Sequence, residues 1–147
     1  MPALSDIPNF RVVDSEIFTA GQPSRDQFSI IAEEGFETVI NLAMLDSLGA
    51  LEDEAAVVKS FKMEYVHIPV PFDAPELSQF LRFEKVLLDL KQEACFIHCI
   101  ANKRVSVFMY LFAIRHRKDA QEIERMMLSV WQPNKVWRVF IKNCLVN

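Results

Sequence analysis

Apolar and polar positions recur along this chain in two rhythms, short runs that alternate and longer runs spaced at three and four residues. The first is the mark of strands, the second of helices. Phe10 to Val13 and Ile17 to Thr19 read as short strands around an Asp14-Ser15 turn. Gly21-Gln22-Pro23 then breaks the chain, and Ser24 with Gln27 three residues on has the form of a capping box, opening a helix that Gly35 ends. Thr38 to Leu42 is apolar enough for a buried strand, and Leu51, Ala55 and Val58 share one face of a second helix. Tyr65 to Val70 forms another strand. Pro69, Pro71 and Pro75 stop it and stiffen the loop before a helix carrying Leu77, Phe80, Phe83, Leu87 and Leu90.

Cys95 to His98 reads as a central strand by its apolar content, and Val105 to Ile114 is apolar nearly all round, as befits a helix buried between a sheet and its neighbours. Two more helices follow. Asp119 with Glu122 caps the first, whose face is Ile123, Met126, Met127 and Val130; Asn134 starts the last, with Val136, Phe140 and Cys144 in line. This alternation predicts an α/β fold, one domain over residues 1–147, with a mostly parallel central sheet and helices on both faces. Ligands of such sheets sit beyond the carboxyl ends of the strands, which is where His98-Cys99 falls.

Composition narrows the partners. Half of the 147 residues are hydrophobic, enough for a sizeable core. The net charge of -4, with acids and bases interspersed, argues against nucleic acid or an anionic membrane surface. The greasiest run, Val105 to Ile114, is too short to span a bilayer, and the first residues lack a signal-peptide pattern. Three cysteines without a framework spacing read as free thiols, which predicts a reducing, cytoplasmic setting. His67, His98 and His116 share no metal-ligand spacing with them, so neither a metal nor another cofactor is expected. Nothing in the pattern assigns an oligomeric state.

The chemistry centres on Cys99, where a buried strand turns into a buried helix. Backbone amides of Ile100, Ala101, Asn102, Lys103, Arg104 and Val105 would point into that turn, and the helix dipole adds positive potential. Both favour the thiolate, the nucleophilic form of cysteine. The Arg104 guanidinium could take two oxygens of a phosphate or similar oxyanion in fork geometry. A buried core cysteine beside a solvated arginine is the plainer alternative.

The order strand, His-Cys, loop, Arg, helix resembles cysteine-dependent protein phosphatases of the tyrosine and dual-specificity type. It resembles more closely the bacterial phosphatase-like family also found as the beta-lactamase-hydrolase-like domain. Thr19 to Ser24 leading into Thr38 to Leu42, Tyr65 to Val70, and His98 to Ser106 carry the likeness, with Trp131-Gln132-Pro133-Asn134 and Trp137 matching the tail. It spans Phe10 to Ile141. The resemblance implies a phosphatase fold and a phosphorylated or other oxyanionic substrate. It also implies a Cys99 nucleophile, Arg104 on the anion, and a general acid on the loop before the third helix, where Asp73 stands.

The loop departs from the common phosphatase signature, in which five residues separate Cys from Arg. Here four do. Read without a gap, Val105 takes the arginine slot and Ser106 the Ser/Thr slot, giving a pseudophosphatase that binds an oxyanion or a partner. Read with one deletion, Arg104 keeps its role in a tighter ring, a spacing shared with rhodanese-like sulfurtransferases that carry a persulfide. Asn102 replaces the mid-loop glycine, a substitution the left-handed region tolerates. Among supporting residues, Ser106 either donates to the sulfur or bonds back within its helix. His98 orders the loop, and Asn41 tethers it or makes a local turn. Asp73 could instead be a turn residue, and Glu76 is a weaker alternative acid.

Overall fold

The computed structural model describes residues 3–91 and 93–146. Five strands form one sheet: β1 (Arg11–Val12), β2 (Ile17–Ala20), β3 (Thr38–Asn41), β4 (Glu64–His67) and β5 (Cys95–His98), ordered β1-β2-β5-β3-β4. β2, β5, β3 and β4 run parallel and β1 pairs antiparallel with β2. The expected α/β architecture is therefore present, with β5 at the centre. The register aligns the last residues of the parallel strands, Ala20, His98, Asn41 and His67, in one row across the sheet. Whatever follows His98 thus emerges between the ends of two flanking strands.

The helices are α1 (Arg25–Glu33), α2 (Glu54–Ser60), α3 (Leu77–Leu90), α4 (Lys103–His116), α5 (Ala120–Val130) and α6 (Lys135–Leu145). Alternation along the strands divides them between two faces. Val39 and Phe96 pack with Phe28, Ile31 and Val58 under α1 and α2, whereas Ile40, Cys95 and Ile97 pack with side chains of α3 to α6. None of the helices among the described residues is long and apolar enough to cross a membrane.

Local signals set most boundaries. Ser24 Oγ accepts from the Gln27 amide while Gln27 Oε1 accepts from the Ser24 amide, and Gly35 takes a φ of +97° after α1. Asn134 Oδ1 accepts from the Trp137 amide at 3.0 Å and opens α6. Three expectations need correction. Asp119 stands at the start of α5, but its carboxylate is taken by Arg117 at 2.8 Å through both oxygens and caps no amide. β4 ends at His67, since Pro69 cannot donate to a ladder, although the Ile68 and Val70 amides still reach the Asn41 and Leu42 carbonyls. On α6, Trp137 is fully buried in place of Val136, which is exposed, because the larger indole gains more from burial.

α4 is buried on nearly every side, from Arg104 to Ala113. Phe108 lies at the middle of a ring cluster, with Phe80, Phe83, Phe140 and Trp137 at centroid distances of 5.7, 5.4, 5.8 and 6.2 Å. Emptying that centre leaves a cavity its rigid neighbours cannot fill. Phe108→Ala is expected to lower stability by about 3–5 kcal/mol, read as a shift of the urea midpoint at unchanged slope.

Candidate active site

β5 delivers the chain into a loop, Cys99 to Asn102, that the neighbouring strands hold from both sides. The Leu42 amide donates to the His98 carbonyl at 2.9 Å, the Cys99 amide to Ala20 at 3.3 Å, and the Gln22 amide to the Ile100 carbonyl at 3.0 Å. Asn102 adopts φ +64°, ψ 3°, the left-handed conformation that turns the strand exit into the start of α4. Its side chain fixes that turn. Asn102 Nδ2 donates to the Asn9 carbonyl at 2.9 Å and to Thr19 Oγ1 at 3.1 Å, while Asn9 Nδ2 donates to the Ala101 carbonyl at 2.9 Å. The first bond inside α4 runs from the Ser106 amide to Asn102, so the amides of residues 102 to 105 have no acceptor within the helix. They point along the axis toward the loop, where the helix dipole is positive.

Side chains around this loop differ in what they are free to do. Cys99 is fully buried, and so is Val105, packed into the apolar core. Arg104 is turned inward: one Nη donates to the Val70 carbonyl at 2.9 Å, and Cζ lies 5.7 Å from the Phe72 ring centre. Phe72 belongs to an aromatic wall with Trp131 and Trp137, and the Trp137 indole donates to the Phe72 carbonyl at 2.8 Å. Lys103 Nζ sits 5.5 Å above Trp131. The Ser106 hydroxyl donates to Lys103 O at 2.8 Å and accepts from the Trp131 indole at 3.1 Å, so its proton is directed into its own helix. Asp73, next to Phe72, is exposed and makes no hydrogen bond or ion pair among the described residues. Asn41 accepts from the Ala43 amide and donates to the Tyr65 hydroxyl, a local turn with no direct bond to the loop.

Sequence reasoning passed over a buried polar chain beneath the strand ends. Glu54, from α2, is 1% exposed and accepts from Gln22 Nε2 at 2.7 Å, and its other oxygen lies 2.6 Å from His98 Nε2. His98 Nδ1 in turn meets the Cys99 carbonyl at 2.9 Å. Burial, and then the Glu54 charge, push the Tyr65 phenol above its ordinary value. The signal was present: Glu54 stands three residues after Leu51 and four before Val58, on the face expected to be buried. Gln22 lay in the Gly-Gln-Pro break, where composition gives no hint of a long-range partner.

Cys95 and Cys144 are also buried in the apolar core. Burial pushes Cys95 up to about 12 and Cys144 up to about 11. Since the thiolate is the reactive form, both stay protonated at neutral and mildly alkaline pH. Alkylation of the native protein, mapped by peptide mass, is expected to leave Cys95 and Cys144 unmodified until denaturant is added. All three cysteines are free, and among the described residues no group of three His, Cys, Asp or Glu side chains could hold a metal ion.

Residues 2–125 match the family described as PTP-NADK, the DSP-PTPase phosphatase fused to NAD+ kinase. The chain belongs to this family. No protein of curated function matches it. A phosphatase candidate of the DUF442 group from Shewanella putrefaciens CN-32 is 26% identical, with a TM-score of 0.85 over 97% of this chain and 95% of that one. Tk-PTP in its active form is 17% identical, with a TM-score of 0.77 over 93% of this chain and 96% of that one. The core catalytic domain of the PP-IP phosphatase SIW14 of S. cerevisiae, in complex with citrate, is 15% identical, with a TM-score of 0.71 over 92% and 84%. These last two share the fold. The DSP-PTPase assignment agrees with the resemblance to a bacterial tyrosine-phosphatase-like family read from the sequence.

Proposed function

We propose that this DSP-PTPase family member is a cysteine-dependent phosphoric monoester hydrolase acting through Cys99. The observation that carries the reading is the turn at Asn102. It sets the free amides of α4 immediately after the cysteine and anchors them through Asn9 and Thr19. Amide donors and a positive helix end are what a phosphoryl group with spread negative charge requires. In this reaction the Cys99 sulfur attacks phosphorus and the bond to the leaving oxygen breaks. Asp73 gives that oxygen its proton, and Arg104 with the amides of residues 100 to 105 holds the remaining oxygens. Water then attacks the phosphocysteine, loses its proton to Asp73, and releases phosphate and the thiolate. Arg104 rather than Val105 suits the arginine role, because Val105 is sealed in the core. The single unit over residues 1–147, the reducing compartment and the absence of a nucleic-acid partner remain part of this proposal, which requires no cofactor.

Hydrolysis of para-nitrophenyl phosphate tests it. Turnover that disappears in Cys99→Ser, while the variant still binds phosphate, is the expected result. Sulfur transfer from thiosulfate to cyanide without phosphate release would replace this reading with a persulfide carrier. Phosphate binding with neither activity would leave an oxyanion-binding pseudophosphatase.

A further inference from the structure

The Asp73 side chain is exposed and has no partner among the described residues, so nothing at the carboxyl group itself fixes where a proton would be delivered. Its backbone is fixed instead. Residues 71 to 74 form a turn closed by the Ala74 amide on the Pro71 carbonyl at 3.2 Å, with Pro75 stiffening its exit. Before the turn, the Val70 amide donates to the Leu42 carbonyl at 3.0 Å, and the Val70 carbonyl accepts from Arg104. Inside it, the Phe72 carbonyl accepts from the Trp137 indole at 2.8 Å, and that carbonyl belongs to the peptide leading into Asp73. The Phe72 ring is enclosed by Trp131, Trp137 and the Arg104 guanidinium, at 5.6, 6.0 and 5.7 Å.

Trp137 is anchored in its turn. Its side chain is fully buried against Phe108 and Phe140, at ring distances of 6.2 and 5.3 Å, and its amide is held by the Asn134 cap at 3.0 Å. A buried indole N–H needs an acceptor, and the Phe72 carbonyl is the one it has. Trp131 and Trp137 both lie outside residues 2–125, which carry the family match. We infer that Trp137 is a positioning residue for proton transfer: its indole N–H clasps the Phe72 carbonyl to the core and so sets the Asp73 turn beside Arg104 before any substrate arrives. Arg104 and the turn both press on Phe72, so the group that holds the phosphoryl oxygens and the group that protonates the leaving oxygen keep one spacing. Proton delivery to a leaving oxygen is sensitive to displacements of about 1 Å in that spacing.

This inference rests on the phosphatase reading with Asp73 as the acid. Its test compares phenyl phosphate, whose leaving oxygen is strongly basic, with para-nitrophenyl phosphate, whose leaving group departs readily without a proton. Trp137→Phe keeps an aromatic ring in the core and removes the donor. The ratio of kcat for phenyl phosphate to kcat for para-nitrophenyl phosphate should fall about tenfold, a part of the roughly 100- to 10,000-fold that a placed acid supplies. A purely structural role would lower both rates together, and an unchanged ratio overturns the inference. In an Asp73→Asn background the ratio should already have fallen, and Trp137→Phe should lower it no further; a second full drop there also overturns it. If Trp137→Phe does not fold, a benzothiophene in place of the Trp137 indole keeps the shape without the N–H and is read in the same way. Where Asp73→Asn lowers the ratio and neither change at Trp137 does, the phosphatase reading stands and this inference alone falls. An unaltered protein that hydrolyses neither ester removes both.

Discussion

Arg104→Ala is expected to cut kcat for an aryl phosphate by about 100- to 1000-fold, the scale on which a preorganised donor acts on transition-state charge. The expectation follows from how the side chain is held. It is buried, bonded to the Val70 carbonyl through one Nη and laid over Phe72, so its stem and one edge are fixed while the rest of the fork keeps its donors. That arrangement removes rotamer freedom before any anion arrives. Arg104→Lys should recover little, since an ammonium is a point charge that cannot span two oxygens while reaching Val70. Phosphate affinity should fall together with kcat. Steady-state kinetics with both variants, beside a competitive phosphate titration, read this directly. A lysine variant with full activity would mean the residue supplies only general positive charge.

The architecture was legible because its signals are local and repeated. The Ser24–Gln27 box, the Asn134 cap and the apolar run after Cys99 each fix an element without knowledge of the rest. The strand-end position of His98-Cys99 followed from the alternation of strands and helices. What the sequence concealed are pairings across long separations. Asn102 donates to the Asn9 carbonyl 93 positions away, Asn9 donates in turn to the Ala101 carbonyl, and Glu54 reaches His98 across 44. Neither residue type announces a partner, since Asn and Glu are common on surfaces and in turns. Asp119 shows the reverse failure: a good local cap signal lost to Arg117, which offers a charged fork in place of backbone amides. Where two partners compete for one carboxylate, spacing along the chain cannot say which wins.

Gly21→Ala should disable the site while leaving the core standing. A methyl group at residue 21 would lie 2.3 Å from the Ile100 carbonyl oxygen and 3.0 Å from its carbon, with Pro8 Cβ at 3.1 Å on the other side. The contact is with backbone, so no side chain can swing away to relieve it. Gly21 is also bridged to Ala101, and its amide donates to Pro8 at 2.7 Å, which stops the residue from retreating. The Ile100 peptide must therefore move, and with it the bond it accepts from the Gln22 amide. Overpacking of this kind costs about 1–3 kcal/mol, and a shift near 1 Å in reacting groups costs about 100-fold in rate. Gly49→Ala is the control for rate and not for stability, because a methyl there meets nothing within 4 Å while its φ of +91° still strains an alanine backbone. The Gly21 variant should melt cooperatively, somewhat earlier, with turnover lost well beyond the unfolded fraction; the Gly49 variant should keep its rate. Were Gly21→Ala to retain hydrolysis within twofold, the reacting phosphate could not be seated against the amides that follow Cys99.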